Sequence, residues 1–197
     1  IMEEKKDFEV ANPLTEEANS VHILTAHRSK GLEYPIVILA NCSKRFNLQD
    51  MAGDTCCNTR AGYGLRVVRR ETAQRYETVP SAAVRLQEQA DTVAEEQRLL
   101  YVAMTRARDT LILNITEQNL GAKLTKLAGL LEDRKPLSAY ASGQMRSWSD
   151  WLLAALLRHP DFEEIRNRFG LDLAVREEGF PLEFGWTEAL SGGEAFP

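Results

Sequence analysis

A chain of 197 residues and 22.2 kDa, 44% hydrophobic and 27% charged, can bury one good core with an appended subdomain and is too apolar for a disordered tail. Its formal charge of −5, from 24 Lys and Arg against 29 Asp and Glu, argues against a wholly basic nucleic-acid binder. No run approaches the eighteen or so apolar residues of a bilayer span, and IMEEKKDFEV at the start has no apolar core suited to a signal peptide. The expected location is therefore cytoplasmic, with no membrane partner. Three cysteines, Cys42, Cys56 and Cys57, lack paired CxxC spacing, which fits reduced thiols rather than a zinc site.

In chain order, residues 1–20 read as a polar lead-in, and Ile1 ahead of the first methionine suggests a piece of a longer chain. VHILTAH (21–27) and PIVILA (35–40) are short, apolar and β-branched, the pattern of strands buried on both faces. HRSKGLEY between them is too short for a crossover helix, so a single helical turn is expected, with Gly31 allowing a positive φ or close backbone approach. A long excursion, 41–79, follows; GYGLRVVRR within it predicts a strand or hairpin. Pro80 and Ser81 look like a helix start, and the helix is expected over about 82–107, buried where Leu99–Met104 is apolar on nearly every side. TLILNIT (110–116) is the next strand. Strand, short link, strand, helix, strand is part of an α/β sheet. After Gly121 the chain turns helical: KLTKLAGLLED, then SWSDWLLAALLRHP with Ser147 or Ser149 as N-cap and Pro160 as stop. Trp148, Trp151, Leu152, Leu153, Leu156 and Leu157 have the helical spacing of a packing stripe. SGGEAFP at the end reads as a linker.

Lys30, Lys44, Arg45, Arg60, Arg66, Arg69, Arg70, Arg75, Arg85 and Arg98 crowd the first half. They fit a local phosphate track, although a solvated face with scattered ion pairs is the favoured reading. In EEQRLLYVAMTRARDTLIL (95–113), an apolar helix end delivers Arg106 and Arg108 beside a strand, so a guanidinium is held at the edge of a sheet. A planar, permanently charged fork of donors suits phosphate oxygens; the bland alternative is that both arginines complement the negative end of their helix. There is no GxxxxGK[ST] loop to cradle a phosphate and no paired acidic motif for magnesium.

TAHRSKGLEYPIVILA and EEQRLLYVAMTRARDTLIL resemble motifs V and VI of superfamily-one DNA helicases of the UvrD and RecB type, in the family order. ANCSKRFNLQD, the RY and VP elements near Tyr76 and Pro80, and SDWLLAALLRHP extend the resemblance, over roughly residues 20–160, to the AddA subunits of AddAB helicase–nucleases. The resemblance implies an α/β fold: a partial RecA-like parallel sheet of the second helicase domain (21–118), with flanking helices and a helical C-terminal extension (119–190). Residues 1–20 would lead in from an upstream inserted subdomain, and 191–197 would lead toward a nuclease domain. It implies that ATP and Mg2+ are held mainly by the first RecA-like domain of the same polypeptide, and that Arg106 contacts the γ-phosphate catalytically. Glu33 and Gly31 would lie on the nucleotide side, and Thr25, His27 and Lys30 on single-stranded DNA. Glu95, Glu96 and Arg98 would form an ion-pair set anchoring the helix. An AddB-type subunit would be the partner, and double-strand break repair and recombination the process. On this reading the isolated chain neither hydrolyses ATP nor cuts DNA, and no metal is bound by it. A non-catalytic helicase-like scaffold or DNA clamp is the alternative.

Overall fold

The computed structural model describes residues 20–48, 51–131, 136–175 and 182–185. The expected lead-in, apart from Ser20, and the terminal linker lie outside these residues.

Two parallel strands, β1 (Tyr34–Leu39) and β6 (Ala107–Leu113), form the central sheet, and the chain travels between them through an excursion and a long helix. In register, Tyr34 faces Ala107 and Ile36 to Leu39 face Thr110 to Leu113. Val37, Leu39, Leu111 and Leu113 turn toward the helices, while Ile36 and Ile38 stay exposed. The expectation of burial on both faces is thus corrected: among the described residues only one face of β1 is covered. The expected strand at 21–27 is corrected as well. Residues 21–25 run without a ladder partner, with Val21 93% and Ile23 96% exposed. β-branched composition favours an extended backbone, but a strand also needs a neighbour to accept its hydrogen bonds.

The excursion holds two antiparallel hairpins: β2 (Thr55–Asn58) with β3 (Gly62–Leu65), and β4 (Val67–Arg69) with β5 (Gln74–Tyr76). In the first, the Asn58 side-chain oxygen accepts from the N–H groups of Arg60 and Ala61 (2.8 and 3.1 Å), and its amide donates to Glu88 and Asp91 on the following helix (2.8 Å each). One side chain thus shapes the turn and docks it. Gly64 packs so closely that a Cβ there would stand 2.5 Å from the Ser81 Cα.

Helix α1 (Val79–Met104) starts three residues before its expected position and ends three before it. At the start, the Thr78 hydroxyl accepts from the Ser81 N–H (3.2 Å), and Pro80 sits in the first turn, where its missing N–H costs nothing. At the end, Thr105 Oγ1 donates to the Tyr101 and Val102 carbonyls (2.9 and 3.0 Å). These carbonyls are among those a helix end leaves without intrahelical partners, and closing them frees Ala107 to open β6.

Four shorter helices follow: α2 (Leu120–Ala128), α3 (Ala139–Gln144), α4 (Trp148–Leu156) and α5 (Glu163–Arg168). Ser147, not Ser149, caps α4, and the Asp150 carboxylate accepts from the Ser147 N–H (3.2 Å). Pro160 does more than stop α4: it opens a 3-10 turn, Pro160–Phe162, that feeds α5. The stripe on α4 divides between two clusters. Leu153 and Leu157 pack with Leu124, Leu127, Phe162 and Ile165, whereas Leu152 joins Cys42 and Leu100 beneath the sheet, flanked by Trp148 and Trp151. Helix α4 is therefore the shared wall of the sheet-bearing and helical parts.

Candidate functional site

The sheet is parallel, so the segments entering β1 and β6 lie at the same end of it. The turn before β1 and the end of α1 meet there, through Arg106. Its backbone carbonyl accepts from the Tyr34 N–H (2.9 Å). Its side chain donates from Nη1 to the Leu32 carbonyl (2.9 Å), from Nε to the Val102 carbonyl (2.9 Å) and from Nη2 to Thr105 Oγ1 (3.1 Å). Glu33 is exposed between Leu32 and Tyr34, both of which are tied to Arg106. Of the three residues expected on the nucleotide side, Arg106 is thus bonded to the two neighbours of Glu33, and Gly31 directly precedes them.

The bland reading of Arg106 holds in part, because one donor does cap a carbonyl of the last helical turn. It leaves the bond to Leu32 unexplained, since that carbonyl belongs to another segment. Arg108 pairs with its neighbour Asp109 (3.2 and 3.0 Å). The hydrogen bonds and charge of Asp109 raise the Arg108 pKa, and the charge of Glu33 adds to this. Electrostatically, Glu33 therefore faces a cation.

The turn itself is the expected single helical turn. The Ser29 N–H donates to the Thr25 carbonyl (3.1 Å), and Leu32 N–H to the Ser29 carbonyl (3.1 Å). Ser29 is buried and pinned by its hydroxyl to the Ala26 carbonyl (2.8 Å). Gly31 follows at φ 85°, a conformation that most side chains strain, and it swings the chain toward β1. Thr25 Oγ1 accepts from the Arg28 N–H (3.3 Å). His27 and Lys30 are exposed. Among the described residues no hydrogen bond joins Thr25, His27 or Lys30 to Arg106. Thr25 ends an unpaired segment, and His27 and Lys30 follow it, so the three do not stand, as the strand reading implied, at the carboxyl end of a strand.

The Glu95, Glu96 and Arg98 set divides. Arg98 pairs with Glu95 one turn away, but Glu96 accepts from the Trp148 indole N–H (2.9 Å) and ties α1 to α4. The sequence reading also missed a polar hub at the foot of β6, where Lys123 Nζ bonds Glu117, Asp150 (2.8 Å) and Ser149 (2.7 Å). Its only signal was an isolated lysine on the otherwise apolar face of α2. Among the described residues, no group of three or more His, Cys, Asp or Glu lies close enough to hold a metal ion, and no helix is long and apolar enough to cross a membrane.

Comparison with known proteins gives this geometry a family. The profile of the UvrD-like helicase C-terminal domain matches residues 5–118. The chain is similar to proteins named as the A subunits of ATP-dependent helicase/nucleases. It is 38% identical to that of Acetivibrio thermocellus over 165 residues, which is 83% of this chain and 13% of the relative. It is 37% identical to that of Anoxybacillus flavithermus over 160 residues (81% and 13%), and 35% identical to that of Moorella thermoacetica over 198 residues (98% and 14%). The chain thus spans 13–14% of the length of these relatives.

Proposed function

The chain belongs to the UvrD-like helicase C-terminal domain family, and from that premise we propose that it forms part of the second RecA-like domain of an AddA-type, ATP-dependent DNA helicase–nuclease. Arg106 is its phosphate sensor. The observation that carries this reading is the convergence of Arg106 and Glu33 at one end of the parallel strands, with the guanidinium fixed by three hydrogen bonds. A guanidinium has five N–H donors. Three bonds leave one free N–H on each terminal nitrogen, the pair a phosphate oxygen or two would take.

ATP with Mg2+ would supply the phosphoanhydride bond whose cleavage drives movement on DNA. The donor set here fits a nucleotide phosphate but does not fit the magnesium ion, so the ion and most of the nucleotide would be held by the first RecA-like domain of the same polypeptide. Arg106 stabilises the charge that develops as the terminal phosphoryl group passes to water. Because the same guanidinium holds the Leu32 carbonyl, a shift of Arg106 toward phosphate is felt in the turn carrying Gly31, Lys30, His27 and Thr25. There, hydroxyl, imidazole and ammonium groups bind single-stranded backbone phosphates without reading sequence. The process served is double-strand break repair in the cytoplasm, and the partner is an AddB-type protein.

The test is a split of two effects in the intact enzyme. Arg106→Ala should cut ATP turnover by about a thousandfold or more even at saturating single-stranded DNA, the loss expected of an arginine acting on the transferring phosphoryl group. Thr25→Val with His27→Ala should instead raise the DNA concentration needed for half-maximal ATPase. If both variants weakened only DNA binding, the assignment of Arg106 to the nucleotide would be wrong.

A further inference from the structure

We propose that the β4–β5 ribbon, Val67–Tyr76, is an arm that grips the phosphate backbone of duplex DNA through Arg69 and Arg70. The inference rests on the reading above only in taking DNA as the substrate.

The basic residues of the first half sort into two groups. Arg60, Arg66, Arg75, Arg85 and Arg98 each have a carboxylate partner, which is the solvated, ion-paired face expected of most charge runs. Lys30, Lys44, Arg45, Arg69 and Arg70 have none among the described residues; on the ribbon itself these are Arg69 and Arg70. They stand where β4 turns toward β5, and Glu71 is the one acid between Arg66 and Tyr76.

The ribbon is also built differently from its neighbour. The β2–β3 hairpin buries Cys56 and Gly64 against α1, but every residue of β4 and β5 is exposed. A two-stranded ribbon exposed on both faces, in a chain of net charge −5, matches the width of a DNA groove and carries two arginines without carboxylate partners where its strands turn. Its foot is rigid. Arg66 Nε pairs with Glu77 Oε2 (2.7 Å), Thr78 Oγ1 donates to the Leu65 carbonyl (2.6 Å), and Arg75 Nε lies 3.4 Å from Asp54 Oδ1. The Arg69 guanidinium reaches back from the turn over the ring of Tyr76, which pairs with Val67 at the foot, at 5.8 Å from the ring centre, and the Tyr76 hydroxyl donates to Gln74 Oε1 (2.8 Å). Stacking of this kind orients the guanidinium through its face and leaves its N–H edge free for phosphate oxygens.

The experiment uses the intact enzyme without ATP and measures its affinity for a blunt-ended duplex between about 50 and 200 mM salt, the range over which counterion release is read. Each lost phosphate contact lowers the slope of log affinity against log salt by about 1. Arg69→Ala with Arg70→Ala should therefore lower the slope by about 2, so that the wild-type advantage at low salt shrinks about tenfold across the range. Arg69→Lys with Arg70→Lys, which keeps the charges, should retain the wild-type slope. ATP turnover at saturating single-stranded oligonucleotide should not change in either variant. An unchanged duplex slope in the alanine variant overturns the proposal. So does a loss confined to single-stranded DNA, or weaker association with the AddB-type protein while the duplex slope stays intact. In each case Arg106→Ala still reports separately on the helicase reading.

Discussion

Removing the cation from the Lys123 hub is the most informative perturbation of stability. Glu117, Lys123 and Asp150 keep side-chain exposures of 17%, 18% and 14%, and Lys123 is the cation that faces both carboxylates. Deleting one partner of a buried pair costs about 3–5 kcal/mol. The low end applies here, about 3 kcal/mol, because some exposure and the Ser147 and Ser149 hydroxyls remain. Lys123→Met keeps the packed stem and removes the charge. With a urea slope of about 2 kcal/mol/M, the unfolding midpoint of the 197-residue chain should fall by about 1.5 M. The pH dependence checks the cause. Burial pushes the Glu117 and Asp150 carboxyls up, but hydrogen bonds from Lys123, with Ser149 and Ser43 at Glu117 and the Arg146 N–H at Asp150, push them down further, and both end below their ordinary values. A folded pKa below the unfolded one means that the unfolded chain binds more protons. This stabilisation is present above the unfolded carboxylate pKa and is lost as pH falls through the folded values. Wild-type and variant curves should separate at neutral pH and converge as pH falls below the ordinary carboxylate range. A midpoint shift under about 0.3 M, or curves that stay parallel on acidification, would show that the hub does not hold β6, α2 and α4 together.

Two further outcomes are expected where the excursion meets α1. Gly64→Ala would place a methyl group 2.5 Å from the Ser81 Cα and 2.9 Å from Cys56 Sγ. Because a backbone atom cannot yield cheaply, the substitution should cost about 1–3 kcal/mol in a thermal melt, and an unchanged melt would show that this contact is looser than it stands. The Glu77 carboxyl, which accepts from the Ser81 hydroxyl, Arg66 and Arg85, is held down to about 2. A carboxyl-resolved NMR titration should find it there and show its contribution lost only as pH falls toward that value; Ser81→Ala should move the midpoint up. A midpoint in the ordinary carboxylate range would contradict the ion-pair geometry at the ribbon's foot.

The parts of this structure that depend on neighbours in sequence were legible. Apolar β-branched runs marked β1 and β6, Pro80 marked the start of α1 within three residues, and the spacing of the α4 stripe described its packing. The signal failed where the deciding partner is distant. VHILTAH has the composition of a strand, yet no described segment pairs with residues 21–25. Glu96 reads as a member of a local charge set but bonds Trp148, 52 residues away. The α1 end lay three residues early because Thr105 and Arg106 close the last turn from outside the helix. At the site, Arg106 and Glu33 were named through their motifs. The Leu32 carbonyl that joins them is a backbone atom, and backbone acceptors leave no trace in residue identity.

Whether Arg106 senses a nucleotide phosphate held by another domain is decided by the steady-state rate of ATP hydrolysis in the intact enzyme carrying Arg106→Ala, at saturating ATP and single-stranded DNA. An arginine acting on the transferring phosphoryl group contributes about 10³–10⁵ to turnover, so a fall of about a thousandfold or more is expected. Turnover within about threefold of wild type would show that the guanidinium only staples the Leu32 turn to the helix end, and that it takes no part in hydrolysis.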